Sequence, residues 1–558
     1  MSLRIAIIGG VAGGAGAAAA ARRANEAAQI DLYEMGDYIS FANCGLPYYL
    51  SGEIESRDKL LVTSPEQLRE RFNVSVHVRH EVTSIDRKRR AIRVRQLDTM
   101  REFEAPYDRL IIATGAKGFR PPTLDFEHPR VHECRTLHDI DAIANLIERH
   151  TRGRALVIGG GFIGVEVAEA LVQRDLSVTL VDLAPQILPP LDPEIAAAGL
   201  EPFARRHVSL RLGTRIERVV HERDESYAIL SNGERIAFDL AVMSIGVTPE
   251  ISLAKDAGLE IGATGGLVVD EFQRTSDPDI FAAGDVTELL YWPTGTRMRI
   301  ALAGPANKQG RVAGANAVSD DCSLQTRGAA GTAIVRLFEL VIGMTGLSEK
   351  AAQARKIPYK VIYTQNNHHA GYFPGARPIF IKLLFSPETG RVLGGQIFGE
   401  SGVDKRIDVL SVAIQAGFTV DQLADADLAY APPFGSAKDP IVIAGMVASN
   451  VWHGRSNAIT PRELLAAMES STPPLVLDVR SSAEHNAGRI EGSINIPVDS
   501  LRTNRPDVPR DREIVVHCAV GYRGYVAERM LRQLGYSNVR NLSGGFRAWS
   551  LHHAAEVG

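Results

Sequence analysis

Short apolar runs recur along the chain at RIAII (4–8), LIIA (110–113), ALVI (155–158), VTLV (178–181) and IVVH (514–517). Runs this short, bounded by glycine or a charged residue, predict strands buried on both faces. RIAII leads into GGVAGG and then an Ala-rich stretch with Arg22 and Arg23, the pattern of a strand, a tight turn and a helix. ALVI leads into GGGFIGVEVAEAL, and IVVH into the loop CAVGYR and a helical stretch. Strands alternating with helices in this way predict an α/β fold built on parallel sheets.

Glycine spacing adds chemistry to two of these turns. Gly159, Gly161 and Gly164 complete G-x-G-x-x-G, and Asp182 closes the next strand, VTLVD, eighteen residues on. The first copy keeps Gly9 and Gly14 but has Val11 in the middle, with Glu34 twenty residues past Gly14 at the end of IDLYE. Such glycines permit the turn and let helix and strand approach. The helix N-terminus then offers free N–H groups to a pyrophosphate, and the acid accepts from ribose hydroxyls. Taken alone, the first copy also fits an Ala/Gly-rich packing turn; two copies about 150 residues apart imply two sheets and two dinucleotides. Asp182 would repel a 2′-phosphate, which favours NADH over NADPH. Glu166 either complements the helix dipole as a first-turn charge or lies near the nicotinamide.

At 558 residues the chain outgrows a single core and predicts roughly three to five domains. Its 62 basic and 66 acidic side chains leave a net charge of −4, so nothing in the balance draws it to nucleic acid or an anionic membrane. Cys44, Cys134, Cys322 and Cys518 lie far apart and form no C-x-x-C pair. That argues against a disulfide framework or a metal site and for a reducing cytosol. The N-terminal apolar run is read as part of the fold, because cleavage of a signal peptide there would remove the glycine fingerprint. No run of eighteen strongly apolar residues predicts a membrane span.

LIIATGA (110–116) and DIFAAGDV (279–286) each carry an apolar strand into glycine beside a polar residue. Taken in order with the two glycine turns, residues 1 to about 450 resemble the two-dinucleotide-binding disulfide reductase flavoproteins. The resemblance implies FAD in the first fold, NADH in the second, and Gly284 with Asp285 at the flavin's ribityl chain and pyrophosphate. Gly10, Ala12, Thr114, Gly115 and Gly246 are carried over as further cofactor contacts.

SFANCGLPYYLSG (40–52) places Cys44 where the glutathione reductase branch carries C-x-x-x-x-C, but the second position is Tyr49. Three readings are open for this lone cysteine: a buried structural residue, a thiol cycling through sulfenic acid, or a thiol that pairs with a small-molecule thiol. Peroxidases of this branch carry a histidine in the first glycine turn, where this chain has Ala12. The stretch is most similar to coenzyme A disulfide reductases, in which the substrate's own thiol supplies the missing sulfur.

That resemblance implies two tyrosines of the partner subunit near the active sulfur, here Tyr372 in NHHAGYFPGA and Tyr430 in ADLAYAPPFGSAKDP. Phe373 stands where many members have tyrosine and is read as packing. Arg23, Ser40, Asn43, Arg71 and Lys438 are implied for a coenzyme A pocket; Arg71, in the charged helical PEQLRERF, also fits a solvated surface. Tyrosines and a lysine contributed across subunits imply a homodimer.

Beyond residue 460, PLVLDVR (474–480), GRIEGSINIP (488–497), Cys518-x-x-Gly-x-Arg523 and LSGGFRAW (542–549) resemble a rhodanese domain. This implies Cys518 as carrier of a sulfane sulfur and Arg523 as the group that positions or stabilises the anion. A strand-to-helix loop can form an anion nest favouring thiolate or persulfide; otherwise Cys518 is a buried cysteine at a strand end. His517 faces the other side of its strand.

The expected domains are FAD-binding (1–150 and 273–325), NADH-binding (151–272), dimerisation (326–450), a linker (451–460) and rhodanese (461–558). The fusion resembles NADH-dependent persulfide reductases, which implies substrates among coenzyme A persulfides, polysulfides and coenzyme A disulfide. Two alternatives stand beside it: an NADH oxidase or peroxidase working through Cys44, and a C-terminal module that only binds sulfur compounds or docks partners.

Overall fold

The computed structural model describes residues 2–121, 124, 127–223, 225–319 and 321–557. The chain divides into two units: residues up to Leu183 together with Val208–Gly331, and Ala184–His207 together with the chain from Thr332 onward.

The first unit contains two five-stranded parallel sheets. One runs Ile280–Ala282, Arg109–Ile112, Arg4–Ile8, Gln29–Tyr33, Ser75–His77 in spatial order. The other runs Ser209–Arg211, Ser177–Val181, Arg154–Ile158, Leu240–Met243, Val131–Glu133. The central strands are mostly apolar because both faces are covered, whereas the edge strands SVH and SLR keep polar, partly exposed positions. Ile5, Ile7, Ile30, Leu32 and Ile111 are all buried in one core, each contributing about 1.5–3 kcal/mol by removal from water.

Both glycine turns form for the same steric reason. Gly9 and Gly159 have φ of +93° and +102°, which side chains resist. A Cβ on Gly14 would sit 1.8 Å from the Gly9 carbonyl oxygen, and one on Gly164 equally 1.8 Å from that of Gly159. Only glycine lets each helix, Ala12–Ala24 and Phe162–Gln173, start directly over its strand. A short antiparallel pair, Ala116–Gly118 with Val247–Pro249, follows Gly115 and Gly246.

The second unit holds an antiparallel sheet ordered Ala333–Leu337, Leu340–Gly346, Val392–Gly399, Pro378–Phe385, Lys360–Asn367, with helices Val403–Ala416 and Pro440–Trp452 against it. In its strand PIFIKLLF, Lys382 is fully buried and ringed by Asp192 (2.9 Å), Glu194 (2.5 Å) and Glu349 (2.7 Å). Burial works against this ammonium, but Tyr363 and the three acids hold its proton on. Asp192 and Glu194 belong to Ala184–His207, so this charge cluster anchors that segment in the second unit.

The same unit includes a five-stranded parallel sheet, Ala458–Ile459, Val539–Leu542, Ile514–His517, Leu475–Asp478, Ile494–Asn495. Its first helix, Pro461–Met468, opens on a Thr460–Glu463 capping box with Pro461 in the first turn.

Candidate functional site

In the first unit, the turn Asn43–Gly45 carries Cys44 directly into the short helix Leu46–Ser51. The loop before it is tied to the first glycine turn by the Ser40 N–H, which donates to the Gly10 carbonyl at 2.9 Å. Asn43 donates from Nδ2 to the Arg135 carbonyl at 3.3 Å. Cys44 is solvent-accessible and forms no disulfide. The surrounding protein still desolvates it in part, and this raises its thiol above the ordinary value; the charges of Glu166 and Asp285 push the same way. Tyr48, one turn on, donates to Glu166 Oε1 at 3.0 Å. Glu166 is the fifth residue of its helix, whose first turn holds no acid, so the first-turn reading fails; its charge acts on Cys44 instead. Replacing it with glutamine removes a negative charge that disfavours thiolate, so the Cys44 pKa falls. Iodoacetamide alkylation of Cys44 followed at fixed neutral pH is expected to speed up.

The residues around both glycine turns fit dinucleotides. Helix Ala12–Ala24 begins with no side-chain cap at Val11, and Phe162–Gln173 with none at Gly161, so each leaves first-turn N–H donors for an anion. A Cβ on Gly161 would meet nothing within 4 Å, which leaves room for a pyrophosphate. Glu34 accepts from the Gly10 and Gly36 N–H groups, each at 2.7 Å, and each oxygen keeps a lone pair for a ribose hydroxyl. Asp182 accepts from the Gly160 N–H at 2.5 Å in the same manner. Gly284, at φ +87°, is held by its N–H to Gln309 Oε1 at 3.0 Å; desolvation raises the neighbouring Asp285 carboxyl. Thr114 Oγ1 donates to the Glu250 carbonyl at 2.7 Å, and Gly115 accepts from the Glu250 N–H, so both brace the link between the two sheets. Arg23 and Arg71 are exposed.

In the second unit, Tyr372 and Tyr430 meet through their hydroxyls at 3.2 Å. Both rings are exposed, as are Phe373 and Phe434, a cluster of aromatic surface; Lys438 is exposed on the same loop as Phe434. The hydrogen bond to Tyr430 raises the Tyr372 phenol above its usual value.

Cys518 is 1% exposed at the end of strand Ile514–His517. Its Sγ accepts from the Gly521 N–H at 3.2 Å, so the loop turns this amide toward sulfur before helix Tyr522–Gln533 starts. Arg523 interacts with Cys518 and forks onto Glu484 at 2.6 and 2.8 Å. Arg523 in turn holds the Glu484 carboxyl down to about 2. Glu484 is legible in sequence only as a capping-box acid with Ser481. His517 is fully buried 3.8 Å from Asp478, and burial drives it down to about 4.

Two dinucleotide-binding folds, an exposed thiol after the first glycine turn and a buried thiol held by a loop amide define a pyridine-nucleotide flavoprotein with an added sulfur-handling module. The chain belongs to the pyridine nucleotide-disulphide oxidoreductase family, whose model matches residues 3–310. The family's dimerisation domain matches 332–440, and a rhodanese-like domain matches 460–552. The reduced CoADR-RHD of Bacillus anthracis is 41% identical with a TM-score of 0.94, covering 99% of this chain and 98% of that one. An NAD-dependent persulfide reductase from A. fulgidus is 36% identical with a TM-score of 0.90, covering 98% and 100%. A coenzyme A disulfide reductase of Staphylococcus haemolyticus (strain JCSC1435) is 30% identical over 80% of this chain and 100% of its own. An NADH oxidase of Methanocaldococcus jannaschii is 33% identical over 79% of this chain and 98% of its own.

Proposed function

We propose that this protein uses NADH to reduce coenzyme A persulfides, polysulfides and coenzyme A disulfide, and that its rhodanese module delivers or accepts the sulfane sulfur through Cys518 and Arg523. The observation that carries this reading is the solitary state of Cys44. All four cysteines are free, so no second sulfur of this chain is bonded to Cys44. Thiol–disulfide exchange needs a second sulfur, and a small-molecule thiol or persulfide supplies it to Cys44. The full-length match to a persulfide reductase includes the sulfur module, whereas the NADH oxidase match covers only 79% of the chain.

The chemistry follows from thiol exchange. Cys44 as thiolate attacks the coenzyme A-side sulfur of the persulfide; the S–S bond breaks, hydrosulfide leaves, and Cys44 stands in a mixed disulfide with coenzyme A. Two electrons and a proton then return Cys44 and free coenzyme A thiol. Gly9, Gly10, Gly14, Glu34, Gly284 and Asp285 would hold FAD, and Gly159, Gly161, Gly164 and Asp182 would hold NADH; together the two cofactors would supply the two electrons. The balance is one persulfide, one NADH and one proton giving coenzyme A, H2S and NAD+. Partial burial first, and then the charges of Glu166 and Asp285, raise the Cys44 thiol, so its proton must leave before the attack.

The protein acts as a homodimer, in keeping with its dimerisation domain and exposed aromatic cluster. Tyr372 and Tyr430 of the partner subunit protonate the departing sulfur. Arg23, Arg71 and the partner subunit's Lys438 meet the phosphates of coenzyme A, with Ser40 and Asn43 beside Cys44. Among the described residues no helix is long and apolar enough to cross a membrane. Four free thiols suit a reducing cytosol.

Comparing NADH consumption with coenzyme A persulfide and with hydrogen peroxide tests the reading; a strong preference for peroxide overturns it. Tyr430→Phe is expected to slow turnover by about 10- to 100-fold, the usual range for removing a proton donor, while NADH still bleaches the flavin at the wild-type rate. Equal loss in both measurements would place Tyr430 in a structural role instead.

A further inference from the structure

Tyr372 and Tyr430 sit on separate loops, and neither loop has regular structure of its own. Tyr372 lies between strands Lys360–Asn367 and Pro378–Phe385, and Tyr430 between helices Val420–Ala424 and Pro440–Trp452. Both loops end on one side chain, Arg406 of helix Val403–Ala416, which is only 1% exposed. Its Nη2 donates to the His368 carbonyl at 2.6 Å, at the start of the first loop. Nη2 and Nε also donate to Asp439, at 2.6 and 3.2 Å, at the end of the second loop. Nη1 donates to the Gly402 carbonyl at 3.2 Å.

The bridge extends beyond the guanidinium. Asp439 accepts from the Ile441 N–H at 3.0 Å and so caps helix Pro440–Trp452. The Ala370 N–H donates to the Gly435 carbonyl at 2.9 Å, joining the two loops directly. Lys405 Nζ reaches the Ala429 carbonyl at 3.4 Å, next to Tyr430, and lies 3.8 Å from Asp439. A buried guanidinium is tolerated only when its charge is paired and its donors are directed. Here the planar fork serves two loops at once, which the single point of a lysine ammonium does not reproduce.

We propose that Arg406 is a positioning residue for the sulfur step: it clamps the His368 and Asp439 ends of the two loops, so that the Tyr372 and Tyr430 hydroxyls stay paired. The inference rests on the reading that this tyrosine pair serves proton delivery. An ion pair that only stabilised the fold would lower stability without singling out one step. A clamp acting through the tyrosines must lose its effect once they are disabled.

The test uses the FAD-loaded full-length enzyme as Arg406→Lys, Tyr430→Phe and the double variant. Steady-state turnover with NADH and coenzyme A disulfide is measured beside stopped-flow bleaching of the flavin by NADH. A misplaced catalytic group costs about 10- to 100-fold in rate, so Arg406→Lys is expected to slow turnover by that order and leave bleaching unchanged. The double variant is expected to be no slower than Tyr430→Phe alone, since the two changes disable one device. Wild-type turnover in Arg406→Lys, slowed bleaching, or losses that add in the double variant would overturn the clamp. If Arg406→Lys does not fold, Asp439→Asn, which still caps Ile441, carries the same comparison: reduced, non-additive turnover supports the clamp and wild-type turnover overturns it. Wild-type turnover in Tyr430→Phe defeats the tyrosine reading itself. A slow Tyr430→Phe beside a fast Arg406→Lys defeats only the clamp.

Discussion

Cys44→Ser is expected to stop turnover of coenzyme A persulfide and coenzyme A disulfide while NADH still bleaches the flavin. Losing the nucleophile of a covalent route removes the route, a fall on the order of 10³-fold or more. The groups proposed to hold the two cofactors are untouched: Glu34 with Gly10 and Gly36, Gly284 with Gln309, and Asp182 with Gly160. Hydride delivery precedes the sulfur step, so the half-reaction survives. Stopped-flow absorbance of the flavin with NADH alone, next to NADH consumption with substrate, separates the two steps. A flavin that stays oxidised would show that the order is wrong, and residual turnover near wild type would return Cys44 to a structural role.

Cys518→Ser is the second large effect, and it falls on the other activity. The Cys518 sulfur is where the Gly521 amide and Arg523 converge, with Glu484 fixing the guanidinium from its far side. Serine keeps the size of the group but has no sulfur to accept a sulfane atom. Transfer from persulfide or thiosulfate donors to a thiol acceptor should drop to background, while NADH-linked reduction of coenzyme A disulfide continues at the wild-type rate. Unchanged transfer would make the module a docking element. Loss of both activities would place Cys518 within the path of the reductase reaction.

The sequence by itself determined the α/β character, both glycine turns and the loop that follows Cys518. In each case the information is local. Gly9 with Gly14, and Gly159 with Gly164, lie within one strand–turn–helix, where a single Cβ would overlap a backbone oxygen. Cys518, Gly521 and Arg523 likewise share one loop and the helix that follows it.

Only the tertiary structure decided the charge networks. Arg406 sits in the sequence DKRID, which reads as a solvated helix face, yet its partners are His368 and Asp439. Lys382 interrupts the apolar run PIFIKLLF, and two of the three acids that keep it charged come from Ala184–His207, nearly two hundred residues earlier. Glu484 reads as a cap, and Glu166 as a first-turn charge or a residue near the nicotinamide, until folding brings Arg523 to the one and sets the other's charge on Cys44. A buried charge is stable only where its counter-charges are delivered in three dimensions. Local spacing sets the turns, and long-range closure of the chain supplies the partners.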